Sequence, residues 1–335
     1  MNSRLTRLAG AALAVTVSLA LTACGGDDSA EPAASATASG PFEYKDALGK
    51  DIKLDQTPTT VVAQSSVAAA LWDAGFQVKG AYGELKPDAA GKLSYQAGSL
   101  DLSKVTVVGS TYGEFDTEKY ALMNPQLLVD YTFDNKALWY VPAAQSEKIL
   151  SLAPGLAVPG NYKTTDEAIS TMVDLAGKLG ADTKGAALTT AKTDYESALT
   201  AVGEAAKTSG LKVAIMSPGT DSLYVADPAQ LPEGNTLKNA GLDVISPPNP
   251  KNEVFAQFSW EKAVDFKDAD VILVDARTYD ASKADLAKVP TWANLPAVKA
   301  GQVYPWYAAA PYSYQSYAKI YNELAGELKS AKKLS

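Results

Sequence analysis

Near the middle of the chain, from Thr164 to Lys207, apolar side chains recur every three or four residues, the spacing of one helix face. Ile169, Met172, Val173, Ala176 and Leu179 make a first stripe, opened by Thr164 and Glu167 as a capping box and stopped at Gly180. Leu188, Ala191, Tyr195, Ala198 and Val202 make a second, for which Asp182 is a candidate cap. Before this pair, short β-rich runs bounded by Gly and Pro predict a hairpin over 42–54 and strands over 60–64, 77–82, 105–108, 127–131 and 156–158. Helical stretches over 69–74, 117–123 and 139–150 separate them. The same alternation resumes afterwards, with strands at 212–216, 222–226, 243–245, 271–275 and 302–306 and helices at 237–240, 260–265 and 314–329. Strands that alternate with helices predict parallel-rich sheets covered by helices. The expected architecture is therefore α/β, with two Rossmann-like lobes over 41–163 and 181–335 joined by a bridging helix over 164–180.

The first residues do not fit that pattern. Arg4 and Arg7 precede an apolar stretch from Leu8 to Leu21, and Leu21-Thr22-Ala23-Cys24 follows as a small-residue processing site. That combination predicts a secretory signal over 1–23. The site resembles a bacterial lipobox, in which the cysteine carries the lipid; cleavage near Ala23 with an incidental cysteine is the alternative. Acyl chains on Cys24 would anchor the protein at the outer face of a membrane. Residues 24–40 lack large apolar side chains and predict a flexible tether.

Composition narrows the chemistry. Cys24 is the only cysteine, which excludes internal disulfides and thiolate metal clusters. There is no histidine, so Ser-His-Asp and Cys-His catalysis and His-based zinc sites are absent, and neither a P-loop nor a Gly-x-Gly-x-x-Gly turn occurs. No carboxylate pair stands out by spacing, and an enzyme is not expected. The formal charge of −8 becomes −10 once Arg4 and Arg7 are removed, a poor match for nucleic acid. What remains distinctive is aromatic. The segments that follow the strands carry Tyr82, Tyr112, Tyr131, Trp139 and Tyr140 in the first half, and Tyr224, Trp260, Tyr279, Trp306, Tyr307, Tyr312 and Tyr314 in the second. In open α/β sheets ligands sit beyond the carboxyl ends of the strands, so two facing lobes predict one shared, aromatic small-molecule cleft.

Three phrases resemble a known family. Val108-Gly109 followed by Asp116 to Val129, Ser259 to Ala263 followed by Asp268 to Val274, and Trp292 to Tyr304 are similar to segments of the substrate-binding proteins of ABC importers for ferric siderophores, haem and cobalamin. Gln126 stands where that family usually has an acidic residue. The likeness runs from Phe42 to the C-terminus. It implies two lobes bridged by one long helix, modest closure on binding, a monomer, and delivery of cargo to a membrane permease with its ATPase. It also implies that Glu118 and Glu261, one per lobe, dock on basic residues of the permease; each also complements its own helix dipole.

The family's metal-ion branch uses histidines, so free zinc or manganese is not expected. Anionic tricatecholate complexes are met by several arginines, whereas the mature chain has only Arg277. A neutral or cationic ferric hydroxamate of the ferrioxamine kind fits better, with haem or cobalamin as alternatives and a surface-anchored enzyme as the rival from another class. The siderophore supplies its own iron ligands, so no intrinsic cofactor or protein metal site is expected. The expected ligand-binding residues are Tyr82, Tyr112, Tyr131, Trp139, Tyr224, Trp260, Arg277, Trp306, Tyr307 and Tyr312. Arg277 either bonds a hydroxamate oxygen or pairs with Asp275 or Asp280.

Overall fold

The short apolar runs become the strands of two sheets in a computed structural model that describes residues 40–251 and 253–334. The signal over 1–23, Cys24 and the tether as far as residue 39 lie outside the described residues. A hairpin of β1 (Phe42–Lys45) and β2 (Asp51–Leu54) comes first. Asp46 makes its turn, accepting from the backbone of Leu48 and Lys50 at 3.0 and 2.7 Å. The first sheet then follows with β3 (Val61–Gln64), β4 (Gly80–Tyr82), β5 (Thr106–Val107), β6 (Leu127–Thr132) and β7 (Gly155–Pro159), ordered β5-β4-β3-β6-β7 and wholly parallel. All residues of β3 and β6 are buried, as expected of strands covered on both faces. Helices α1 (Ser65–Asp73), α2 (Thr117–Leu122) and α3 (Ser146–Leu152) belong to this lobe.

Between the sheets come α4 (Thr165–Lys178) and α5 (Ala186–Ser209). Thr164 caps α4 by accepting from Glu167 N at 3.2 Å, and the Glu167 carboxylate accepts from Lys163 N at 2.9 Å, one residue upstream of the expected return bond. Asp182 does not cap α5. Its carboxylate accepts from Lys184 N at 3.0 Å, and the helix begins after Gly185 instead.

The second sheet holds β8 (Lys212–Pro218), β9 (Leu223–Ala226), β10 (Asp243–Val244), β11 (Phe255–Phe258), β12 (Val271–Asp275) and β13 (Val303–Trp306). Its order is β11-β9-β8-β12-β13, with β10 on the first residues of β8. It is mixed, because β9 turns back on β8 after Pro218 and β11 returns antiparallel to β9. This lobe also carries α6 (Pro232–Asn239), the short α7 (Tyr279–Leu286), α8 (Pro290–Ala293) and α9 (Pro296–Lys299), and finally α10 (Tyr314–Ser330).

Several elements differ from expectation for identifiable reasons. The helix expected over 139–150 starts only at Ser146, because Trp139 N and Tyr140 N are drawn to Tyr131 O and Asp130 at 2.8 Å each. The segment over Trp260–Phe266 is a 3-10 helix. Strand β11 has intermediate or exposed positions throughout and so no clean period.

The 24 residues of α5 span about 36 Å at 1.5 Å per residue. It runs beside α10 in the same direction, with Tyr195 5.5 Å from Tyr314 early on and Lys333 donating to Gly210 O at 3.0 Å at the far end. Residues 307–313 cross to the first lobe before α10 begins: Ser66 donates to Ala309 O at 2.6 Å, Tyr95 to Ala308 O at 2.7 Å, and Ser313 to Asp73 at 2.5 Å. One apolar cluster accordingly runs from Val61 and Val129 of the first sheet, through α4 and α5, to Val213 and Ile215 of the second.

Candidate functional site

Parallel pairing sends the carboxyl ends of β3, β4 and β6 to one edge of the first sheet, and those of β8, β12 and β13 to one edge of the second. The crossing segment stitches these edges together. At the end of β12, Asp275 is 1% exposed and grips Arg277, with Nη2 at 2.6 Å and Nε at 3.0 Å. Asp275 also accepts from Arg277 N at 3.0 Å and from Ser217 at 3.2 Å. A bidentate pair fixes the plane of the guanidinium. The Arg277 side chain is still 44% exposed, and its charge acts on Tyr95 and Tyr140 of the other lobe. Of the two alternatives read from the sequence, the pair with Asp275 forms, and it leaves donors free.

The facing wall comes from the first lobe. A 3-10 turn over Tyr95–Ala97 presents Tyr95, whose ring meets Tyr307 edge-on at 5.0 Å. Tyr140 packs against Tyr112 at 5.2 Å. Burial, with the nearby Glu84 carboxylate, pushes the Tyr140 phenol up to about 12, so it is a neutral hydrogen-bond donor. Next to Tyr140 a hollow of about 570 Å³ opens. Tyr112, Leu138, Trp139 and Tyr140 line it, with Lys50 and Lys136 at its margin. Tyr112 and Trp139 are 63% and 44% exposed, the largest uncovered aromatic surface among the described residues. Asp134 also lines the hollow, but its carboxylate accepts from Lys136 N and Ala137 N at 2.9 and 3.2 Å and serves the loop.

The ten residues expected to bind ligand divide into three groups. Arg277, Tyr307, Tyr112 and Trp139 lie around the cleft and the adjoining hollow. Tyr82, Tyr131, Tyr312 and Trp306 are 0%, 1%, 5% and 7% exposed, and their rings pack inside the protein. Trp306 still stands opposite Asp275 in the strand register, with its indole N–H buried and without an acceptor among the described residues. Tyr224 and Trp260 sit in the second lobe, Tyr224 over Gly219 and Trp260 against Trp292 at 6.3 Å with its N–H toward Thr220 O at 3.4 Å.

Tyr95 and Glu84, beside Arg277 and Tyr140, and the buried Gln96, whose amide donates to Ala308 O at 3.4 Å, are residues that sequence reading missed. They lie in a long strandless stretch where no period exists, and the only usable signal was one more aromatic residue between turn formers. Two buried carboxyls were also missed. Asp130, 0% exposed, accepts from Tyr131 N and Tyr140 N at 2.7 and 2.8 Å, and desolvation nevertheless pushes it up to about 7. Glu233, 6% exposed in the first turn of α6, accepts from the Tyr317 hydroxyl at 2.5 Å and is also raised by burial. Among the described residues no group of three or more Cys, Asp or Glu side chains could hold a metal ion, and no helix is long and apolar enough to cross a membrane.

Glu118 and Glu261 are exposed, each in the first turn of a short helix. The lysines beside them are engaged elsewhere, Lys119 with Val107 O at 2.8 Å and Lys262 with Asp265 at 3.8 Å. Neither glutamate has an ion-pair partner among the described residues.

Comparison with known proteins places this geometry. A family model described as periplasmic binding protein matches residues 61–310. Comparison with curated proteins gives no significant match. Among solved structures, DesE, described as a ferric-siderophore receptor protein from Streptomyces coelicolor, is 36% identical, covering 88% of this chain and 100% of that one with a TM-score of 0.79. A siderophore periplasmic binding protein from the fuscachelin gene cluster of Thermobifida fusca shares 20% identity over 81% of this chain and 96% of its own, with a TM-score of 0.57. FhuD2 from Staphylococcus aureus with bound ferrioxamine B shares 18% over 81% and 98%, with a TM-score of 0.53. The last two likenesses bear on the fold.

Proposed function

The chain belongs to the periplasmic binding protein family, and on that premise we propose that it captures a ferric hydroxamate siderophore between its lobes and delivers it to an ABC permease. The observation that carries this reading is the 36% identity, over 88% of the chain, with a ferric-siderophore receptor. The cleft chemistry supports the hydroxamate class. One arginine, rigidly held by Asp275, offers spare donors to a chelate oxygen, and Tyr95, Tyr140 and Tyr307 offer neutral ring surface to its methylenes. Tyr112 and Trp139 extend that surface into the hollow. The siderophore's own oxygens coordinate the iron. Of the residues expected from the sequence, we retain Arg277, Tyr307, Tyr112 and Trp139 as ligand contacts and give Tyr82, Tyr131, Tyr312 and Trp306 a packing role. Tyr224 and Trp260 are kept as peripheral contacts from the second lobe.

In the same reading, Cys24 carries lipid that holds a monomer at the outer face of the cell membrane, and residues 24–40 are the tether. Residues 41–163 and 181–335 are the two lobes. The connection between them is α4, the helix expected from the sequence as the bridge, which packs on α1 of the first lobe and α6 of the second, while α5 and α10 pack on each other within the second lobe. The test is tryptophan fluorescence, since Trp139 lines the hollow beside the cleft. Quenching by submicromolar ferric trihydroxamate, with none by haem or cobalamin, is expected. Quenching by haem or cobalamin alone would overturn the ligand class, and turnover of the bound chelate would revive the surface-anchored enzyme.

A further inference from the structure

We propose that Glu233 is a positioning residue for the cleft, fixing the angle between the lobes through a relay of buried tyrosines. Glu233 belongs to α6 of the second lobe and is 6% exposed. One carboxyl oxygen accepts from Tyr317 at 2.5 Å. The Tyr317 ring stacks on Tyr312 at 5.7 Å with an interplanar angle of 5°. Tyr312 in turn meets Tyr131 and Tyr162 of the first lobe edge-on, at 6.1 and 5.6 Å. Carboxylate, phenol and three further rings thus form one contiguous path from the second lobe, through the start of α10, to the end of β6. Tyr131 is followed by Trp139 and Tyr140 through the Trp139 N to Tyr131 O bond at 2.8 Å, so the path ends on the cleft wall.

The second carboxyl oxygen of Glu233 is buried with no hydrogen-bond partner among the described residues. The groups that act on it electrostatically are phenols: Tyr312 of the crossing segment, Tyr317 and Tyr321 of α10, Tyr131 of β6 and Tyr95 of the 3-10 turn. No lysine or arginine is among them. Ionising a carboxyl buried this deeply, with no counter-charge, costs more than the stronger bond from Tyr317 returns, so the packing around it is most stable when the carboxyl is neutral. Burial raises this carboxyl from its ordinary value. An acid whose folded value lies above its unfolded one contributes fully below the unfolded value and loses that contribution as pH rises through the folded one. The relay therefore loosens on the alkaline side.

This proposal rests on the reading of the cleft as a chelate site, and its test separates the two. Glu233→Gln keeps the shape and the acceptor for Tyr317 but cannot ionise. In ligand-free protein, hydrogen exchange of residues 127–132 and 310–317, followed from about pH 5 to about pH 9, should increase in wild type relative to the variant as pH rises. Affinity for a ferric trihydroxamate should fall with pH in wild type and stay flat in the variant, the two separating by about tenfold at the alkaline end. Tyr317→Phe, which removes the hydroxyl bond from Tyr317 to Glu233, should speed exchange of both segments at every pH. Identical pH profiles for wild type and Glu233→Gln in exchange would overturn the proposal. If neither protein binds any ferric chelate, the functional reading fails while the exchange profiles still decide the role of Glu233.

Discussion

At the scale of single residues, the clearest feature is how few charges the cleft uses and how tightly each is held. Arg277 is fixed as a fork by Asp275. Lysine keeps the charge but not the fork, so Arg277→Lys should weaken ferric chelate binding about tenfold, or ~1.4 kcal/mol, in the fluorescence titration, with the melting temperature little changed. Unchanged affinity would remove Arg277 from the site. Asp130 is a different case, a carboxyl that organises the 131–140 turn from inside the lobe. Its raised value, about 7 against 3.8, means that it stabilises most below its ordinary range and loses that contribution as pH rises toward and through 7. Asp130→Asn can accept only one of the two backbone N–H groups on its single oxygen. It should cost about 1–3 kcal/mol at acidic pH and flatten the fall in melting temperature toward neutral pH. A melting profile parallel to that of wild type would contradict the ionisation assigned to Asp130. Arg277 was legible in the sequence because it is the only arginine after Arg7. Asp130 was not, because an acid inside a strand reads as a break in the apolar run until its two N–H donors are seen.

At the scale of elements, periodicity identified what a continuous apolar stripe defines and failed where a tertiary bond overrides it. The observed bounds of β12 are those expected, and α4 and α10 lie within two residues of expectation, each having a stripe and a cap. The helix expected over 139–150 was misread at its start because its first residues serve Asp130 and Tyr131 instead. The antiparallel return of β9 and β11 was hidden for another reason: pairing direction follows from the Pro218 to Ser222 turn, and apolar spacing carries no record of it. Close approach between elements was equally invisible. Gly203 of α5 lies so near α6 that a Cβ there would stand 2.9 Å from Ala240 O. A backbone carbonyl cannot swing aside as a side chain can, so Gly203→Ala should push α5 and α6 apart and cost about 1–3 kcal/mol in chemical denaturation. The control Gly326→Ala, on α10 with open space around it, should be neutral or slightly stabilising. Equal effects from the two would show that helix propensity, not contact, governs Gly203.

At the scale of the whole molecule, the two sheets place one exposed helix-start carboxylate on each lobe. Helix α2 follows β5, and the 3-10 helix from Trp260 follows β11, which runs in the same direction as β8 because both are antiparallel to β9. Each of these short helices therefore begins on the carboxyl side of its own sheet, the side that faces the cleft. Glu118 and Glu261 occupy the same position in them, one residue after the first, exposed and without a cationic partner among the described residues. An acidic residue there gains about 0.3–1 kcal/mol from the helix dipole, which explains either carboxylate alone. It does not explain why the neighbouring lysine is tied away in both cases. We propose that these two carboxylates, flanking one cleft, meet basic residues of the permease, in which case the distance between them would report the angle of the lobes. Glu118→Ala with Glu261→Ala should therefore leave chelate affinity and melting temperature close to wild type while iron uptake by cells falls at least tenfold, the loss expected when each pair contributes about 1 kcal/mol or more. Each single variant should lose less than the double, and raising ionic strength should weaken wild-type association with permease in lipid discs more than that of the double variant. Normal uptake by the double variant would remove docking from both residues, and a parallel loss of chelate affinity would move them from the docking surface into the binding site.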